Sequence, residues 1–322
     1  MSYLIFGGSG FIGTHLVNLL HEQHPAATIY NLDVVENNHG GRSVFVHCDV
    51  RKNIELALPA SSEDVIFNFS AVHRTPGHPD RDYFETNIRG TENVTEFAER
   101  QGIRKIVFTS SIAPYGASED LKEETTLPMP NTPYGISKLV AEKIHGIWQA
   151  KNQQERQLTI VRPGVVFGTG ENGNFTRLYW GIRSGRFVYP GRKDTIKGCI
   201  YVKDLVRFML YRLEHHQEGV ELYNCTYEPA FTIEQICHAM MKATGMKRNL
   251  VKIPGGLLMG AAAVAGVLGG RALGIHPARV KKLMVSTNIS GKKLAGSGYK
   301  FRYTFPEALE DWFRDNEGKG LR

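Results

Sequence analysis

Directly after a short apolar run, Tyr3–Phe6, the chain reads Gly7-Gly8-Ser9-Gly10-Phe11-Ile12-Gly13 and then continues with helical spacing of apolar residues. Glycines at 7, 10 and 13 suit a tight turn, close backbone approach to a pyrophosphate, and close packing of a helix on a strand. The helix that follows presents unpaired N–H groups and the positive end of its dipole to phosphate oxygens, so Phe11 and Ile12 are candidate contacts through their backbone. Asp33 follows Gly13 by 20 residues, at the end of the second apolar run. A carboxylate there accepts hydrogen bonds from ribose hydroxyls and repels a 2′-phosphate, which favours NAD; Arg42 is the residue able to serve a 2′-phosphate instead. Asp49-Val50 follows the third run, where a side chain reaches an adenine edge.

Further apolar runs place strands at Thr28–Leu32, Val44–Cys48, Val65–Phe69, Ile106–Ser110 and Leu158–Arg162. Their near-continuous apolar character is that of strands covered on both faces. Helical stretches lie between them, at Phe11–Leu20, Asp82–Gln101 and Tyr134–Lys151. This alternation predicts an α/β fold, a Rossmann-type doubly wound parallel sheet with a smaller C-terminal substrate-binding domain. We expect the NAD-binding domain over 1–167, with 198–225 returning to it, and the substrate-binding domain over 168–197 and 226–322. Ile200–Leu213 reads as strand then helix, Val220–Cys225 as a strand, and Phe231–Gly245 as an amphipathic helix starting at Thr232 and stopping at Gly245.

Tyr134 and Lys138 stand four residues apart, on one face of a helix that Pro133 begins. A tyrosine acting as base near neutral pH needs its phenol, ordinarily near pKa 10, brought down. A neighbouring ammonium and a nicotinamide cation are the charges that do so. Phe108-Thr109-Ser110-Ser111 ends a strand, and a hydroxyl there can share the substrate proton with the tyrosine. Ser111 is the candidate and Ser110 its alternative.

Net charge is +7, with basic residues scattered rather than blocked, and hydrophobic residues make up 42% of the 322. Disorder is excluded, no nucleic-acid partner is expected, and a small anionic partner fits the charge. The four cysteines show no paired spacing and the opening Met-Ser-Tyr-Leu-Ile runs into a strand, so a reduced, cytoplasmic protein is expected. The 12 histidines show no metal-ligand spacing, and no metal is expected. Ile253–Gly270 carries no charge over 18 residues but holds Pro254 and six glycines, weak for a membrane span.

These motifs, with Asn68-Phe69-Ser70-Ala71, Asn87 within Tyr83–Thr91, Tyr115-Gly116, Arg162-Pro163 and Tyr201-Val202-Lys203-Asp204, resemble the extended short-chain dehydrogenase/reductases, in particular their NAD-dependent sugar epimerase/dehydratase group. The resemblance covers nearly the whole chain. It implies NAD as cofactor, a Ser111/Tyr134/Lys138 triad with Lys138 also on the nicotinamide ribose, and Ser70, Ala71, Asn87 and Pro163 near the cofactor. A homodimer through Phe84–Arg100 and Tyr134–Ala150 is also implied. Departures narrow the reaction. Ile112-Ala113 stand where the 4,6-dehydratases carry an Asp-Glu pair for water elimination. Pro163-Gly164-Val165 lacks an Asn of the common UDP-galactose epimerases, and Lys197 replaces their diphosphate-binding Arg.

A looser similarity to bacterial epimerases of polyprenyl-diphosphate hexosamines rests on Ala71-Val72-His73-Arg74, Arg162–Gly168, Gly173-Asn174-Phe175 and Arg279-Val280-Lys281-Lys282. It implies a diphosphate-linked sugar as substrate, epimerised at C4. His73, Arg74, Asn174, Arg192, Lys197 and Arg279 are the candidate contacts, with Arg186 and Lys193 in the same basic segment. It also makes 253–270 a candidate lipid or membrane-surface contact, the alternative being a small-residue helix packed within the substrate domain. A net oxidoreductase, either a sugar 4-ketoreductase or a hydroxysteroid-type dehydrogenase, and a non-catalytic cofactor sensor are the two competing readings.

Overall fold

The computed structural model describes residues 1–59, 61–74, 77–217, 219–257 and 284–322. The chain divides into two compact units. The first comprises Met1–Gly116, Glu124–Pro163 and Val202–Cys225; the second comprises Ala117–Glu123, Gly164–Tyr201 and Thr226–Arg322.

The first unit is a seven-stranded sheet formed by β1 (Ser2–Phe6), β2 (Thr28–Asp33), β3 (Val44–His47), β4 (Val65–Asn68), β5 (Lys105–Thr109), β6 (Gln157–Pro163) and β7 (Val220–Cys225). The order across it is β7-β6-β5-β4-β1-β2-β3, and every pairing is parallel. Strand order reverses between β1 and β4, and in such sheets ligands bind beyond the carboxyl ends of the strands at that switch. The expected strands are all present, within a residue or two of their expected ends.

Connecting helices are α1 (Phe11–Gln23), α2 (Asp80–Phe84), α3 (Gly90–Arg100), α4 (Pro133–Ala150) and α5 (Val202–Glu214). Leu4, Phe6, Ile66, Ile106, Phe108, Leu158 and Ile160 of the strands pack with Val94, Phe97, Ala141 and Trp148 of α3 and α4 into one buried cluster. The helix expected over Asp82–Gln101 runs as α2 and α3 joined by one π turn, Glu85–Arg89, which carries Asn87. Such π turns recur at functional sites. Thr132 caps α4 by accepting from the Gly135 N–H at 3.1 Å, with Pro133 at the first helical position.

The second unit contains a four-stranded sheet of Phe231–Thr232, Ile196–Lys197, Thr287–Ile289 and Ser118–Lys122, in that order, and two two-stranded sheets. The helix Ile233–Ala243 starts after Thr232, as expected, and the structure shows a capping box there between Thr232 and Gln235. Phe167, Phe175, Tyr201, Tyr227, Phe231, Phe305 and Trp312 form its aromatic core. Arg279 and the apolar stretch from residue 258 on lie outside the described residues. Among the described residues no helix is long and apolar enough to cross a membrane.

Candidate active site

The glycine turn is shaped as a cradle. Gly7 has φ +78°, and a Cβ on it would stand 2.8 Å from the Ser70 backbone nitrogen. A Cβ on Gly13 would stand 2.5 Å from the Gly8 carbonyl oxygen. Any side chain at either position would push the turn apart or displace α1. Gly10 is the N-cap of α1 and supplies no side-chain cap, so the first-turn N–H groups at Phe11 and Ile12 fall to a ligand. Asp33 accepts the Ser9 N–H on one carboxylate oxygen and the Val35 N–H on the other, each at 3.0 Å. Both oxygens keep lone pairs for ribose hydroxyls. Glycine turn, uncapped helix and fixed carboxylate together fit an adenine dinucleotide. His39, which sequence reading missed, ties this region together: its buried ring contacts Ser43 Oγ at 2.7 Å and the Gly8 carbonyl at 3.2 Å. Its φ of +53° marks it, since a non-glycine residue rarely adopts such a backbone.

Arg42 is exposed and donates to Asn18 Oδ1 at 2.9 Å. Asp49 is held in a fork by Arg51, through Nε at 2.9 Å and Nη2 at 2.7 Å, which lowers its pKa. Val50 is buried against Gly90, within the hydrophobic cluster. Ser70 donates to Asn68 Oδ1 at 2.6 Å, Ala71 is half-buried, and the Pro163 carbonyl accepts from Ile112. Asn87 is buried; it accepts from the Val72 N–H at 2.8 Å and donates to the Val72 carbonyl at 3.0 Å and to Ser137 Oγ at 2.8 Å. It thereby pins the loop after β4 to α4.

The hydroxyl of Ser111 is hydrogen-bonded to the phenol of Tyr134. Ser110, the alternative, is buried and donates to Glu142 Oε1 at 2.5 Å. The adjacent serines therefore face different partners, and Ser111 is the one that meets the tyrosine. Lys138 is buried one helical turn beyond Tyr134, its Nζ 4.5 Å from the Phe108 ring centre. Burial brings its amine down to about 7, partly opposed by the charge of Glu142. Burial pushes the Tyr134 phenol up, and the Ser111 hydrogen bond acts against it. The lowering expected from sequence depends on Lys138 and on a nicotinamide cation, and burial acts in the opposite sense. Tyr83, also missed from sequence, packs its ring 6.3 Å from that of Tyr134, centre to centre, and donates its hydroxyl to the Arg74 carbonyl.

His73 and Arg74 lie exposed on the loop after β4. The other candidate substrate residues belong to the second unit. Asn174 opens the helix Asn174–Arg183 and accepts from Arg177 at 3.0 Å. Arg192 is engaged by Asp194 at 2.7 and 3.0 Å and by Glu119 at 3.0 Å. Lys193 meets Glu234 at 3.1 Å. Lys197 is half-buried, donates to the Val285 carbonyl at 2.6 Å, and is brought down to about 8, chiefly by burial. Carboxylates of the same unit thus already face the basic segment, which the sequence read as open to a diphosphate. Among the described residues no group of side chains could hold a metal ion.

The model of the NAD dependent epimerase/dehydratase family matches residues 3–226. The chain is 31% identical over 310 residues to an N-acetyl-alpha-D-glucosaminyl-diphospho-ditrans,octacis-undecaprenol 4-epimerase of Escherichia coli O157:H7, covering 95% of this chain and 92% of that one. It is 25% identical over 331 residues to a 3-beta-hydroxysteroid dehydrogenase of Mycolicibacterium neoaurum, covering 96% and 89%. The structure of a UDP-glucuronic acid 4-epimerase from Bacillus cereus in complex with NAD shares the fold, with a TM-score of 0.75 at 20% identity over 98% of this chain and 99% of that one.

Proposed function

The chain belongs to the NAD-dependent epimerase/dehydratase family, and from that premise we propose that it inverts C4 of an N-acetylhexosamine carried on a polyprenyl diphosphate. One observation supports the reaction type: the Ser111 hydroxyl bonds the Tyr134 phenol, with the buried Lys138 amine one turn further along the same helix, the groups that oxidation and re-reduction of a secondary alcohol calls for. Ile112 and Ala113 provide no acid and base for loss of water. The 31% identical relative, which matches nearly end to end, supports the choice of carrier.

The first-turn N–H groups of α1 would hold the pyrophosphate, Asp33 the adenosine ribose, and Lys138 the nicotinamide ribose. When bound, NAD supplies a positive ring that favours the phenolate and a carbon that takes up hydride and gives it back. Tyr134 accepts the proton of the C4 hydroxyl, and Ser111 hydrogen-bonds the same oxygen as it becomes a carbonyl. After the ketone turns over, Tyr134 returns the proton and the opposite configuration results. Atoms and electrons balance without net cofactor turnover. His73 and Arg74 are assigned to the sugar or diphosphate, with Asn174 and Arg279. Arg192 and Lys197 would join only by leaving Asp194, Glu119 and the Val285 carbonyl.

Phe84, Ile136 and Ile147, exposed on α2 and α4, support a homodimer through these helices, which sedimentation tests. Four buried free cysteines support a cytoplasmic site, and the uncharged stretch at 253–270 supports contact with the inner membrane face, which vesicle flotation tests. The activity is tested by incubating the protein with polyprenyl-diphosphate N-acetylglucosamine and, separately, UDP-N-acetylglucosamine, without added cofactor. Epimer formed from the polyprenyl substrate with no rise in nicotinamide absorbance is the expected result. Stoichiometric reduction of supplied NAD with no epimer would replace this reading with the net dehydrogenase, to which the 25% identical relative points.

A further inference from the structure

Tyr134, Lys138, Glu142 and His145 follow one another along one face of α4, at intervals of four, four and three residues. The reaction as described uses the first two. Glu142 is buried, and Arg162 of β6 clasps its carboxylate with Nε to Oε1 at 2.8 Å and Nη2 to Oε2 at 2.5 Å. Ser110 donates to the same Oε1. Three donors, two from β6 and one from the residue after β5, thus hold one carboxylate in one place.

A buried ion pair is weak evidence of stabilisation, because removing both charges from water costs as much as their attraction returns. Its placement says more. Lys138 faces Tyr134 and His145 on its own helix, His73 on the loop after β4, the Phe108 ring on β5, and Glu142 with Arg162 of β6 behind it. Of these groups Glu142 is the one that brings a negative charge. We infer that Glu142 is a positioning residue of the reaction: Arg162 and Ser110 fix its carboxylate one turn from Lys138, where it keeps that buried amine an ammonium. This rests on the reading that Tyr134 and Lys138 carry the chemistry. Arg162 and Ser110 fix the place and direction of the carboxylate, and Lys138 receives its field.

Glu142→Gln alone would leave Arg162 buried without a counter-charge, at a cost to folding, so the test is the double variant Glu142→Gln/Arg162→Gln, which leaves two amides able to bond each other. In the holoenzyme, lysine labelled with ¹³C at Cε is titrated by NMR, the Lys138 signal being assigned with Lys138→Arg. The expected result is a Lys138 titration about one pH unit lower in the double variant, with the alkaline limb of kcat/KM moved down by the same amount, a tenfold loss of ammonium at fixed pH. Arg162→Lys keeps both charges, and its limb stays with the wild type's. A Lys138 titration identical in wild type and double variant would overturn the inference. So would a limb displaced equally in Arg162→Lys, which would assign the effect to packing. Tyr134→Phe separates the two levels: loss of turnover leaves the catalytic reading standing whatever Glu142 does, and undiminished turnover removes that reading and this inference with it.

Discussion

The hydroxyl of Ser111 meets the phenol of Tyr134, whereas Ser110, next in the chain, donates its hydroxyl to Glu142. Tyr134 and Glu142 lie two turns apart on one face of α4, so one serine meets the reacting end of that face and the other a buried ion pair. Ser111→Ala is therefore expected to lower kcat by roughly 10²- to 10⁴-fold, the range for a lost proton-sharing group, with NAD retention unchanged. Ser110→Ala is expected to lower stability by about 1–3 kcal/mol, since Glu142 loses a buried donor, with a smaller loss of kcat. Steady-state kinetics with thermal unfolding of both variants distinguishes them. Equal kinetic losses would show that the two hydroxyls share the reacting centre.

Lys138 gives a stability prediction with a definite sign. Its folded value of about 7 lies below its ordinary 10.5, so between those values the unfolded chain binds more protons than the folded one. Stability then rises with pH across that window. At and below pH 7 the folded protein carries the cost of a buried ammonium, and above pH 10.5 it does not. Lys138→Met is accordingly expected to stabilise the protein by up to about 5 kcal/mol at pH 6, and by much less near pH 10. Urea unfolding at the two pH values checks this, and a gain independent of pH would contradict it.

Asp33 bears on cofactor choice. Removing its carboxylate in Asp33→Ala takes away the acceptors of the Ser9 and Val35 N–H groups as well as those for the ribose. NAD affinity is expected to fall by roughly 10- to 100-fold, at about 1.4 kcal/mol per tenfold, and the preference for NAD over NADP to shrink. Calorimetric titration with both nucleotides reads the two effects together. Unaltered discrimination would place the selection elsewhere, with Arg42 the first residue to examine.

Gly7→Ala tests the cradle. The new Cβ would fall 2.8 Å from the Ser70 nitrogen, on a backbone at φ +78° that alanine disfavours. A loss of about 1–3 kcal/mol in stability is expected, with weaker NAD binding because the turn must open. Gly102→Ala is the control: it also has positive φ, but its Cβ would meet nothing within 4 Å. It should cost stability and leave NAD affinity as it is.

Local pattern determined a great deal about this protein. Apolar runs of strand length, separated by helical spacing, specify a parallel sheet with crossover helices, because both faces of such strands must be covered. The glycine turn and Asp33 specify the dinucleotide end, since they lie on successive strands joined by one helix. Tyr134 and Lys138 were legible because helix geometry alone puts positions four apart on one face, and the same rule points on to Glu142. What sequence could not supply was the identity of partners distant in the chain. Arg162 reaches Glu142 only because β6 lies beneath α4. Arg192 and Glu119, 73 residues apart, meet only in the folded second unit, so a segment that reads as free positive charge is already paired. Ser110 and Ser111 are chemically identical until packing against α4 sets them beside different residues of one helix face. The upward push on Tyr134 likewise comes from desolvation, a property of the packed interior that no spacing of residues records.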